Sequence, residues 1–469
     1  MAYSWITFAQ AKTALKNRLG DSAGVFWLDA ELGEYIKEAL RTWNVVAQYH
    51  HDRVTFLTQS GFNFYDLTST ANPNSITAGT GAGATNPPAM MGYTVKDRDL
   101  INLIQYHLIE PITTNWASPV FTEQYTMEDL VRSIERRRNQ LLLECAPHLS
   151  HSLVSYGSPP GSGRVSLTDS IISVRRAAWK SFTGDYSPLW RTDEQGGNAF
   201  AFGWADSPST PTSYSMIMTP KVMIQLIPLS NDVGSVDLIT VNAPANLDQT
   251  VGTLLNIPDD WSWIAKFGAL GDLFSQDSQS FDPLRYEYCE KRWLNGLEIA
   301  AASATLQQAE VDGLKVQPSS LAGWDAFKPE WQGVTVGSGN PITDIAIAGR
   351  NLITLYPIPD VGPHSVELDI LENAPMPASD GAFLQIGREE IDVLLDYAYH
   401  LAMLKVGGAE FQATITLADR FMRLALQHND ILRAEAENYS IMNGFSKRDM
   451  VERPRREEAA TNATGQVRQ

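Results

Sequence analysis

Ser213–Asp232 reads SYSMIMTPKVMIQLIPLSND and Pro341–Asp360 reads PITDIAIAGRNLITLYPIPD. Each stretch is a strand, a turn and a second strand by its short apolar, β-branched runs. Set at an offset of 129, Ile224 falls on Ile353, Leu226 on Leu355 and Pro228 on Pro357. A slip of one residue pairs Ser235-Val236-Asp237-Leu238 with Ser365-Val366-Glu367-Leu368, and a further slip puts Ala243-Pro244 on Ala374-Pro375. The offset of 129 then returns, with Leu255 on Leu384, Ile257 on Ile386, Ile264 on Val393 and Ala269 on Ala398. Fixed-period likeness of this kind is the mark of a repeated unit. Both copies run strand, proline turn, strand, Ala-Pro, short apolar run and two helices.

The helices have their own signals. In the first copy they begin near Asp259 and near Asp282, the latter with Asp282 as N-cap and Pro283 at the first helical position. In the second copy Ile391, Leu394, Leu395, Ala398 and Ala402 make one stripe, and Ile415, Ala418, Met422, Ala425 and Leu432 the next. Upstream, Thr7 and Gln10 fit a capping box, and Leu32, Tyr35, Ile36, Leu40 and Trp43 recur at helical spacing. Val54–Leu57 and Phe62–Leu67 read as a hairpin, and helices resume over Asp97–Leu108 and Thr126–Cys145. From Leu67 to Val95 no residue is charged. The resulting organisation is a mainly helical region 1–150 with a hairpin and a long uncharged loop 67–95, repeats over 165–309 and 310–440, and a mixed-charge tail 441–469. The fold class expected is α+β: a helical bundle with small antiparallel β-sheets and an internal tandem repeat in the C-terminal two thirds.

Charge and motifs narrow the function. The 469 residues carry Lys+Arg 36 against Asp+Glu 54, a net charge of −18, which opposes non-specific binding to a phosphate backbone. No apolar run reaches the ~18 residues of a membrane span, so a soluble chain made in a cytosol is expected. Cys145 and Cys289 are the two cysteines, too few and too far apart for a disulfide framework or a zinc site. No phosphate loop, HExxH or GxSxG motif occurs, so no catalytic, cofactor-binding or metal-ligating residue is assigned. His50-His51 diverge on a helix, and His148 with His151 lacks a nearby third ligand. The pairs Asp259-Asp260 and Glu389-Glu390 stand just before repeat helices, where acidic residues favour the positive helix end. Arg136-Arg137-Arg138 reads as a solvated face balanced by carboxylates, and Cys289 as a small buried side chain.

The order of Leu226-Ile-Pro-Leu, Leu355-Tyr-Pro-Ile-Pro-Asp, Asn256-Ile-Pro-Asp-Asp260 and Asp282-Pro-Leu-Arg-Tyr-Glu-Tyr resembles the head-to-tail adaptor proteins of tailed bacteriophages. Phe26-Trp-Leu-Asp-Ala-Glu-Leu32 and Ala39-Leu-Arg-Thr-Trp43 are similar to the opening helix of such proteins. The resemblance covers about two thirds of the chain, and the chain departs from it in being longer and in carrying the unit twice. It implies a non-enzymatic virion protein at the head–tail junction, assembled in the host cytoplasm. Such a protein would form a twelvefold ring with copies of itself, dock on the portal protein and meet a downstream tail or nozzle protein. DNA would pass through without specific binding, and no membrane or cofactor would be involved. The segment matching the portal-docking end is Asn443–Gln469, which makes Lys447, Arg448, Arg453, Arg455 and Arg456 the candidate docking residues. The alternatives are a tail, collar or baseplate ring component, and a glycan-binding protein or hydrolase with exposed tryptophans beside paired carboxylates. Trp43, Trp179, Trp261 and Trp293 in cores would count against the glycan reading.

Overall fold

The structure, a computed structural model, describes residues 5–58, 63–67, 93–120, 124–156, 163–200, 202–217, 222–276, 281–302, 306–336, 341–359 and 364–442. The uncharged stretch 68–92 and the tail from 443 onward, with all five candidate docking residues, lie outside them.

The chain opens with helices α1 (Phe8–Leu19) and α2 (Asp29–Ala47), then strands β1 (His51–Leu57) and β2 (Tyr65–Asp66). A second helix pair follows, α3 (Asp97–Leu108) and α4 (Met127–Cys145), leading into β3 (Ser150–Tyr156), β4 (Arg164–Ser166), β5 (Ile171–Ser181) and β6 (Tyr186–Arg191). The short α5 (Glu194–Phe200) crosses to β7 (Ser213–Ile217), β8 (Met223–Ile227) and β9 (Gly234–Asn242), and α6 (Ser262–Phe274) and α7 (Pro283–Ala302) close this part. Then come β10 (Leu306–Val311), β11 (Leu314–Lys315), β12 (Gln317–Ser319), α8 (Leu321–Phe327), β13 (Asp344–Ala348), β14 (Leu352–Tyr356), β15 (Ser365–Leu371), α9 (Ile391–Val406) and α10 (Gly408–Met442).

Strand order exposes the plan. One seven-stranded sheet runs β3-β9-β5-β6-β7-β8-β4, and the other two sheets run β1-β15-β10-β11 and β12-β13-β14-β2. Reading β1 for β3, β2 for β4, β10 for β5, the β11–β12 strip for β6, and β13, β14, β15 for β7, β8, β9 turns one arrangement into the other. Registers agree as well: Ile224 sits opposite Val165, and Ile353 opposite Tyr65. A β-bulge interrupts β5 beside β9 and β10 beside β15 at matching places. Helix pairs agree in length, with 12 residues in α1 and α3 and 19 in α2 and α4. The N-cap residues Thr7 and Lys96 bridge to Phe383 and Leu254, themselves 129 apart. Each unit also has a cis peptide bond at the same place, Ile227–Pro228 and Tyr356–Pro357.

The expected bundle with small antiparallel sheets in tandem repeats is therefore corrected in three respects. The sheets are large: the seven-stranded one is barrel-like and nearly closed, and the other two sheets match its two halves. They are not purely antiparallel, because β6 pairs with β7 and β12 with β13 in parallel. Such pairs require a crossover, which α5 and α8 supply. The repeat is nested rather than tandem. An inner unit, 93–302, sits between β2 and β10 of an outer unit built from 5–67 and 306–442. The expected hairpin at 54–67 does not form for this reason: β1 pairs with β15 and β2 with β14. These walls escaped sequence reading because one face of each strand points outward. β5 carries Arg175, Arg176 and Lys180 among its apolar residues.

Burial divides into three cores. Tyr156, Val165, Trp179, Ile224, Leu226, Val236 and Leu238 fill the inner barrel, and Phe56, Tyr65, Val311, Ile353, Leu355, Val366 and Leu368 fill the outer one. The third core is shared by the helices of both units. Fully burying one such side chain contributes about 1.5–3 kcal/mol. α6, with almost every residue buried, lies at its centre.

Candidate functional site

The two units meet along α2 and α9 of the outer unit and α3, α6 and α7 of the inner one, and polar groups are concentrated there. Lys266 on α6 reaches both carboxylate oxygens of Glu38 on α2 at 2.5 Å, and both side chains are buried. Its Nζ also lies 3.3 Å from His107 Nε2. Burial, helped by the Lys266 charge, drives the His107 imidazole well below its ordinary value, so it stays neutral. Arg292 on α7 donates to Tyr397 Oη at 2.6 Å and lies over the rings of Trp263, Phe267 and Tyr397. His400 Nε2 and Tyr288 Oη lie 2.6 Å apart, and burial lowers that imidazole to about 3. Lys405 bonds Glu31 at 3.0 Å, and Glu31 also accepts from Tyr35 Oη at 2.6 Å.

Asp259 and Asp260 open the 3-10 turn that runs into α6, the helix end read from the sequence, and their carboxylates do more than face that end. Asp259 accepts from the backbone of Thr94 and Val95 at 2.7 and 2.9 Å, pinning the entry to α3. Asp260 is buried and accepts from Asn44 Nδ2 at 2.6 Å and Ala374 N at 2.9 Å, so it ties the inner unit to the outer one. Desolvation raises its carboxyl to about 7. The arginine triplet also separates, since each helical residue turns by ~100°. Arg136 is exposed, Arg137 is clamped by Asp272 at 2.6 Å and Glu290 at 2.9 Å, and Arg138 is buried and donates to Ala245 O at 3.2 Å. Only the first is a solvated face. Cys289 is buried, its thiol pushed up to about 12 by desolvation. Trp43, Trp179, Trp261 and Trp293 are all core residues. His50 and His51 are not on a helix as expected, since α2 ends at Ala47 and β1 opens at His51 with His50 just before it; His148 packs edge-on against Tyr93, and His151 stands 3.2 Å from Asp237. Among the described residues no cluster of three or more His, Cys, Asp or Glu is placed to hold a metal.

The barrels touch through a separate contact. Arg176 on β5 donates to Asp325 at 2.7 and 2.8 Å and to Gln332 at 2.8 Å, and Gln332 donates to Asp237 on β9 at 3.1 Å. Trp331, wholly buried, lies 5.2 Å from the Arg176 guanidinium. This contact had no sequence signal, because its partners stand about 150 residues apart.

The described residues form several concave places, one of them an open hollow of about 510 Å³ beside Arg191, Asp193 and Met216. A polar cleft of about 340 Å³ between α2 and α3 is lined by Glu34, Lys37, Arg41, Asp99, Asn102 and Tyr106, among others. A shallower apolar groove of about 390 Å³ is lined by Trp5, Tyr49, His50, Phe383, Leu384 and Gln385. Among the described residues no helix is long and apolar enough to cross a membrane. No protein-family model matches the chain, and no curated protein matches it.

Proposed function

We propose that the chain is a structural protein of a tailed-phage virion, a ring subunit of the head-to-tail connector that docks on the portal and forms part of the DNA conduit. The observation that carries this reading is the run of strand, proline corner, strand, Ala-Pro and closing helix pair in each unit, the pattern on which the adaptor resemblance rests. Three features support it. Each unit joins helices to a β-rich part, the combination that the resemblance implies, although its sheets are larger than expected. A net charge of −18 per subunit, summed round a ring, opposes adhesion of sliding DNA. The helix α10, 35 residues long, leads into the tail that carries Lys447, Arg448, Arg453, Arg455 and Arg456.

Negative-stain imaging of the purified protein, alone and mixed with virion fractions of its source, tests the reading. Rings or decoration of one unique vertex are expected; a protein that forms no ring and touches no particle overturns it. Deleting Asn443–Gln469 separates the docking proposal from the rest: the truncated chain should fold and fail to join particles, and normal incorporation would refute the tail's role.

A further inference from the structure

The cleft between α2 and α3 is built from one face of each helix. Glu34, Lys37 and Arg41 follow one another at i, i+3 and i+7 on α2, and Asp99, Asn102 and Tyr106 do the same on α3. From Glu34 to Arg41 the slot runs about 10 Å along the helix. Its volume of about 340 Å³ stands at the small end of the ~300–1,000 Å³ range of ligand pockets. The two helices belong to different units, α2 to the outer one and α3 to the inner one.

Three of these side chains are committed within the fold and three are not. Lys37 pairs with Glu34 at 2.7 Å, and Asp99 accepts from the backbone N–H of Lys96 at 3.0 Å. Arg41 has no ion pair among the described residues, and its Nε is buried without a hydrogen-bond partner. Asn102 Oδ1 is likewise buried and unpartnered, and the Tyr106 hydroxyl makes no hydrogen bond among the described residues. A buried donor and a buried acceptor left unmade are costly to a fold. The repeat does not require them. Aligned from their first residues, α4 has Asn139 where α2 has Arg41, and α1 has Thr13 and Asn17 where α3 has Asn102 and Tyr106. Thr13 turns back to its own helix, donating to Ala9 O at 2.9 Å. The uncommitted set belongs to the junction of the units and not to the plan they share.

We propose that this cleft is a binding site for a small hydroxylated monocarboxylate, a sugar acid by class. The planar guanidinium of Arg41 takes the carboxylate through two parallel bonds. Asn102 and Tyr106, neutral and able both to donate and to accept, take hydroxyls. A second negative charge on the ligand is disfavoured, because Glu34 and Asp99 stand in the same cleft and the chain carries −18. That sets a carboxylate above a phosphate, which is close to doubly charged at neutral pH. A bound ligand joins α2 of the outer unit to α3 of the inner one and so stabilises the junction. The site is complete in one copy and does not depend on the ring reading.

The test uses the full chain and the probes D-glucuronate, D-galacturonate, D-gluconate and N-acetylneuraminate, with D-glucose and inorganic phosphate as comparisons. Saturation-transfer NMR and isothermal titration read binding, and scanning calorimetry reads stability. At least one sugar acid should bind and raise the melting temperature, with glucose and phosphate each weaker by about tenfold or more. Arg41→Met should weaken that acid by about tenfold or more, and Asn102→Ala severalfold. Neither should lower the melt of the unliganded chain, because neither group is paired within the fold. Arg41→Lys keeps the charge and the stem and guards against misfolding; it too should weaken binding, since an ammonium lacks the fork. Binding that survives both Arg41 variants overturns the site, as does no response to any of the sugar acids. Phosphate or glucose bound as tightly as the acid overturns the ligand class. Ring formation is read separately by imaging, so failure here leaves that reading standing.

Discussion

Removing one member of the Glu38–Lys266 pair should destabilise the junction far more than removing both. The two groups are buried, with 2.5 Å between Nζ and each carboxylate oxygen and side-chain exposures of 0% and 2%. His107, the next polar neighbour of Nζ, is held neutral by burial and cannot replace the lysine as a cation. Lys266→Leu therefore strands a carboxylate, at a cost of about 3–5 kcal/mol, whereas Glu38→Leu/Lys266→Leu should fall within about 1–2 kcal/mol of the parent. The outer unit supplies a precedent, since Leu395 stands where Lys266 does at the offset of 129 and is buried in α9. For a unit of this size the single variant should melt roughly 6–20 °C lower. Scanning calorimetry of the parent, both single variants and the double variant gives the coupling energy. Singles that lose less than 1 kcal/mol (about the level of an exposed pair), or a double variant no better than the worse single, would refute the claim that the pair is desolvated by its burial.

Three further outcomes are expected. Asp260 has a carboxyl near 7 in the fold against 3.8 ordinarily, so its stabilising neutral form is lost as pH rises through 7. Stability should drop by about 1.4 kcal/mol between about pH 6 and pH 8, and Asp260→Asn should flatten that part of the profile in urea titrations. At the α6–α7 crossing a Cβ on Gly296 would stand 2.9 Å from Ile264 side-chain atoms, so Gly296→Ala should lose about 1–3 kcal/mol on thermal melting, and an unchanged melt would contradict the packing. Residues 93–302, expressed alone, should give a mixed helix–strand circular dichroism spectrum and a cooperative melt, because the barrel core of that unit is complete within the segment. A non-cooperative melt would show that the outer unit's helices are needed to hold it.

Local order was legible in the sequence where one stripe or one cap decides it. Thr7 and Gln10 make the reciprocal capping bonds, Thr126 accepts from Asp129 N, and α3 spans Asp97–Leu108 as its periodicity predicts. The repeat was visible from Ser213 to Asp260 and again from Pro341 because both copies bury the same apolar positions, Ile224 with Ile353 and Leu238 with Leu368. Those residues face the packed interior of a nearly closed sheet in one copy and of two facing sheets in the other, where volume is constrained.

Tertiary structure alone decided the rest. That β1 and β2 belong to strands some 300 residues later depends on pairing partners, and a half-buried strand says which face is inside without saying beside whom it lies. Whether Lys266 or Asp260 is solvated or buried depends on what the other unit brings against it, and Arg137 on α6 and α7 of its own unit, since the same residue types serve both settings. Apolar patterning is a property of the chain, whereas burial and charge pairing are properties of the assembled surfaces.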